Sequence, residues 1–317
     1  MKKILLPLCM LALFVSCTND NEPGTGNAPV PIQVGGSIGM EATVTKAAIN
    51  PDDANPAEFQ AGIAGWESNA AADYSQAPKW ETSLTLKAYK TVHSDYKVST
   101  GQYYNQDEDI NTYMKAWHPA GTLNGTTVTF TNDNGTEDAM LAGIVSGNKD
   151  HEGTPHELNF SHMTTQIKFE AKVDANLPSG TSFNVTSLQL VKDAGNGVTV
   201  DVPTGFDLTK RPDEDGAVTF TSKDAITMTT NTTISSTTDA TSIDGGFLIK
   251  PCNKIAVKAE ASGVTYDAVV VGAPTGGFVA GTAYTVTLTF SGAQILVTAT
   301  VDEWTEATTN PGDVTII

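Results

Sequence analysis

The sequence predicts an all-β protein made of two successive β-rich domains, and three observations predict it. Apolar and polar residues alternate in short runs along much of the chain, the period of a strand with one buried face. Turn-forming clusters such as NLPSG, DAGNG, PDEDG, IDGG and NPGD interrupt those runs, as expected between strands. Threonine, valine, glycine and asparagine are plentiful, and long leucine/glutamate/lysine-rich stretches are absent, which favours strands over helices. With 317 residues, 39% hydrophobic and 7% aromatic, the chain is long enough for two domains with real cores.

The formal net charge is −18, from 18 basic and 36 acidic residues. Such a surface repels nucleic acid and anionic lipid head groups, so no nucleic-acid partner is expected. Arg211 is the only arginine, which argues further against a phosphate-gripping site.

In chain order, Lys2 and Lys3 precede an apolar run over 4–15, and small Ser16 precedes Cys17. This is the layout of a secretion signal, with an apolar run too short to span a bilayer comfortably. LFVSC resembles a lipobox, in which residues 1–16 are removed and the Cys17 thiol is acylated at the new N-terminus. Phe14 departs from the leucine usual there, and the other reading is an ordinary secretory signal with an incidental cysteine. With Cys9 removed and Cys17 lipidated, Cys252 alone remains, so no internal disulfide is expected. Residues 17–30 are acidic, Gly/Pro-rich and without periodicity, a flexible tether.

The first β domain is expected over 31–157. Ile32, Val34, Ile38, Met40 and Val44 fall on even positions and mark a long leading strand, bent at Gly35-Gly36. It ends at Lys46-Ala47, which opens an exposed loop containing Pro51 and Pro56. Inside the strand, GGSIG matches the G-x-S-x-G pattern, but no helix start follows it, and coincidence is the better reading. Further strands are expected over 84–92, 96–98, 113–117 and 127–130. Asp107, Asp109 and Asn111 have calcium-loop spacing, yet Thr112 and His118 occupy the positions that need glycine and glutamate, so a solvated acidic turn is expected. His151, His156 and His162 lie close in sequence, but their spacings fit no zinc pattern. No metal or other cofactor is expected, and His162 reads as a packed histidine bonded to backbone.

The second domain is expected over 158–317 and opens with a junction strand over 158–173. Leu158 and Phe160 alternate on even positions and Ile167, Phe169, Ala171 and Val173 on odd ones, so a bulge or a crossing between sheets falls between them. Short β runs follow at 183–190, 198–202, 217–221, 247–250, 255–259, 266–271, 284–290 and 295–301. Their spacing suggests a Greek-key sandwich rather than alternating strands and helices. No fixed-period repeat points to a solenoid or propeller. The chain ends in an apolar run, VTII.

Several stretches together resemble the fimbrillin family, lipoprotein-derived type V pilins and related surface proteins of Bacteroidales. They are YMKAWHPAG with VTFT, EDAMLAG, LNFSHMTTQIKF, FLIKPCNKIAVKA, FVAGTAYTVTLTF and ILVTATVDEW, in the family's order. The acidic residues behind Cys17 resemble, loosely, the surface-export signal of Bacteroides-type lipoproteins. The resemblance implies two transthyretin-like β-sandwiches, no catalysis, and a lipid anchor in the outer membrane with the fimbrium outside the cell. It also implies assembly with other pilin subunits by donor-strand exchange, triggered when a protease cuts behind the first strand. Here that cut would fall at Lys46-Ala47, where the family usually has arginine.

The donated strand is expected around Val314, Ile316 and Ile317, unless this run is a final edge strand of its own domain. The competing function is a lipid-anchored surface adhesin that never polymerises and binds glycan or host protein. Trp66, Trp80 and Trp117 would form its stacking platform unless they pack in a core. No nucleophile–base pair with supporting context points to an enzyme.

Overall fold

The computed structural model describes residues 28–38, 49, 51–151 and 155–302. The first half contributes β1 (Pro31–Ile38), β2 (Glu58–Ser68), β3 (Trp80–Lys87), β4 (Val98–Tyr103), β5 (Asn111–His118), β6 (Thr122–Asn124), β7 (Thr127–Thr129), β8 (Met140–Ala142), β9 (Val145–Gly147) and β10 (His156–His162). The second half contributes β11 (Thr165–Val173), β12 (Phe183–Val191), β13 (Val200–Asp207), β14 (Val218–Lys223), β15 (Ala225–Ile234) and β16 (Thr241–Ile249). It continues with β17 (Lys254–Ala261), β18 (Val264–Gly272), β19 (Ala283–Phe290) and β20 (Ile295–Asp302). The fold is all-β, as its composition predicts. No helix among the described residues is long and apolar enough to cross a membrane.

One sheet runs β3-β2-β5-β8-β10-β1-β4, with β9 paired to β5. Because β3 also lies beside β4 and β1, the sheet curls around a core that includes Ile32, Val34, Phe59, Met114 and Phe160. Its middle strands are buried on both faces. Phe59, Ala61 and Ile63 of β2 enter this core, while Ala64 and Trp66 enter another. Glycines let the strands carry indoles across them. Gly62 faces Trp117 and Gly65 faces Trp80, and a Cβ on either glycine would lie within 2.4 Å of the opposing ring.

The chain then changes sheets, as the shift of phase near 163–166 predicts. β10 pairs with β1 and β8 in the first sheet, whereas β11 pairs with β16 and β19 in another. The sheets β16-β11-β19-β20 and β15-β12-β17-β18 enclose a second core around Phe169, Phe247, Val257, Tyr284 and Phe290. The remaining sheet, β14-β13-β7-β6, takes one hairpin from each half. It covers the outer face of the first sheet over a third core of Trp66, Trp117, Val128, Leu141, Phe206 and Leu208.

No break in register accompanies Gly35-Gly36, where a bend is expected. Pairing with β10 is regular from Val34 to Ile38, and the irregularity in β1 lies between Pro31 and Gln33, against β4.

Candidate functional site

The first strand among the described residues is an interior strand of its sheet. β1 lies between β10, to which it runs parallel, and β4, to which it runs antiparallel. Its alternation directs Ile32, Val34 and Ile38 into the core, where none is more than 1% exposed. On that face Gly36 leaves room for Leu86 of β3, whose side chain lies 3.5 Å from where a Cβ would sit.

Polar groups fix the strand along its length. Thr100 Oγ1 donates to Ile32 O at 3.0 Å, and Ile38 N–H donates to Tyr89 O at 2.8 Å. Tyr104 N–H donates to Val30 O at 3.0 Å. Ser37 Oγ donates to Asn159 Oδ1 of β10, so the serine of GGSIG is a buried structural hydroxyl.

The segments beside β1 carry titratable groups that are buried or half-buried. The Tyr104 hydroxyl and His156 Nε2 share a hydrogen bond, and burial pushes the phenol up to about 12. Glu157, opposite Gly35 in the register, has its carboxyl raised above the usual range by burial. In both cases removal from water disfavours the charged form.

Among the expected site residues, Ile32, Val34 and Ile38 line one face of this strand together. Met40, Val44, Lys46 and Ala47 lie outside the described residues, as do Cys17 and the run with Val314, Ile316 and Ile317. The tryptophan platform is not formed. Trp66 and Trp117 are 4% and 2% exposed and belong to the third core, and Trp80 is half-buried against the first. Indoles that large are drawn under the covering sheet.

The reading of His162 is also incomplete. Its Nδ1 lies 2.9 Å from the Asp138 carboxylate, a buried partner that the sequence reading did not name. Asp107 and Asp109 are exposed and accept or donate within a local turn. The sequence reading placed a short strand at 96–98, which meets β4, the second neighbour of β1, only at Val98, because VSTGQY carries little apolar signal.

A profile of the fimbrillin-like family matches residues 42–304. The fold is similar to that of a candidate cell adhesion protein from Bacteroides ovatus, at 15% identity and a TM-score of 0.52, covering 88% of this chain and 99% of that one. A candidate cell adhesion protein from Bacteroides uniformis is similar at 17% identity and a TM-score of 0.50, covering 89% of this chain and 100% of that one. No relative among curated proteins matches. With a profile match over most of its length and a fold shared along nearly all of two solved relatives, the chain belongs to the fimbrillin-like family.

Proposed function

We propose that the protein is a fimbrial subunit with a role in adhesion. It is exported as a precursor lipidated at Cys17 and assembles by strand exchange after cleavage at Lys46-Ala47. The family supports a structural, non-enzymatic protein of the cell surface. The observation that carries the strand-exchange reading is the interior place of β1 between β10 and β4. A cut behind β1 would sever its covalent link to the rest of the sheet. Its departure would expose unpaired N–H and C=O groups on both neighbours. It would also uncover the pockets of Ile32, Val34 and Ile38, whose burial contributes roughly 1.5–3 kcal/mol each.

Such a groove binds an alternating strand avidly, so a strand from the next subunit would take the place of β1. The run around Val314, Ile316 and Ile317 is the proposed donor. The adhesin that does not polymerise has less support, since two of the three tryptophans offered for its ligand face are in a core.

Purified protein starting at Ala47 should form ladders on unheated denaturing gels, and adding a peptide of residues 31–44 before assembly should suppress them. Persistent monomers without the peptide would overturn the strand-exchange reading.

A further inference from the structure

Two of the motifs that carry the family resemblance meet at a buried pair. Asp138 of EDAMLAG and His162 of LNFSHM have side chains 1% and 0% exposed, and His162 Nδ1 lies 2.9 Å from each carboxylate oxygen. Asp138 Oδ2 also accepts the Ile49 N–H at 2.9 Å. Ile49 is in no strand, so its amide has no ladder partner, and a partly buried amide without an acceptor is costly. A buried carboxylate is itself expensive unless paired, and the imidazole supplies that pairing. Further along, Asp52 N–H donates to Ala88 O at 2.9 Å, and Asp53 Oδ1 accepts Lys90 N–H at 2.9 Å.

We propose that Asp138, oriented by His162, is the anchor that holds the chain on the downstream side of the processing point. The inference rests on cleavage at Lys46. A new terminus at Ala47 would lie two residues ahead of Ile49, about 7 Å of extended chain. Residues from Ile49 onward would therefore stay seated while β1 leaves, and the departing segment would end at Lys46. His162 is a positioning residue here, because it acts through the carboxylate.

Amide hydrogen exchange at Ile49 tests the anchor, measured in the uncut precursor and in the chain cut after Lys46. Protection should be present in both. Asp138→Ala should raise exchange at Ile49 at least 100-fold while Ala116 in β5 stays protected. Asp138→Asn keeps an oxygen acceptor and loses the charge, so it should raise exchange about tenfold. The milder variant remains readable if the alanine protein does not fold. Fast exchange at Ile49 in the wild type would overturn the anchor, and so would unchanged exchange in folded variants. If protection depends on Asp138 in the precursor but no cut occurs at Lys46, the pair still anchors Ile49, and its role beside a processing point is overturned together with the processing reading. A cut at Lys46 with Ile49 unprotected afterwards would overturn the anchor and leave the processing reading standing.

Discussion

Lys115 sits in β5 between Tyr113 and Trp117 on the face covered by the shared sheet. Its ammonium donates to Leu208 O at 2.6 Å and Lys210 O at 2.9 Å, and lies 3.7 Å from the centre of the Tyr74 ring. Burial pulls its pKa down to about 8, against the attraction of Glu214 and Asp207. The unfolded chain holds this proton up to about 10.5 and the folded chain only to about 8. Between those values the unfolded state binds more protons, so this group makes stability rise with pH. Below about pH 8 the lysine is charged in both states and the desolvation penalty is fully present. Urea titrations of wild type and Lys115→Met at pH 7.5 and 9.5 should show the difference moving in favour of wild type at the higher pH. Parallel behaviour of the two proteins would contradict the assignment. The alternation of YMKAWH places Lys115 on the side of Trp117, but nothing in the sequence says that a hairpin from the other half covers that side.

Which strands could be read from the sequence depends on how many of their faces are buried. β19 and β12 each bury one face more than the other, and a period of two shows plainly. β2 is buried on both faces, and its Ala61, Gly62, Ala64 and Gly65 erase the contrast, so EFQAGIAGWES showed no strand signal. β15 was hidden differently: only Ile226 and Ile234 of AITMTTNTTI are buried, with threonines between them. The leading strand was legible because Ile32, Val34 and Ile38 all fall on even positions, although its second neighbour was read only at Val98. The glycines of β2 have a measurable role. At Gly62 a Cβ would lie 2.4 Å from Trp117 Cε2, whereas at Gly143 nothing lies within 4 Å. Gly62→Ala should lower unfolding free energy by about 1–3 kcal/mol, the usual cost of overpacking a filled site. Gly143→Ala serves as the control and should change it by less than about 0.5 kcal/mol. Equal effects in denaturant titrations would show that the indole moves aside.

At the scale of the molecule the two halves are joined by more than the crossing after β10. β13 pairs with β7 through Gly205–Thr129, Phe206–Val128 and Asp207–Thr127, a union of distant segments that no local pattern announces. The same strand sends Val200 and Val202 into the second core, and its Phe206 enters the third, beside Trp66 and Trp117. Backbone pairing and apolar packing therefore couple the curled first sheet to the second sandwich along one strand. This joint lets tension between the two halves pass through a hydrogen-bonded ladder as well as a covalent link. Its narrowest point is Gly205, where a Cβ would lie 2.2 Å from Val128 O, a backbone atom in the paired strand. Calorimetry of the wild-type chain should give one cooperative transition, because neither half can open its share of the joint without exposing the third core. Gly205→Val should force the two strands apart and split the trace into two transitions, the higher belonging to the second sandwich with its larger core. A single unshifted transition in that variant would mean that the coupling lies elsewhere.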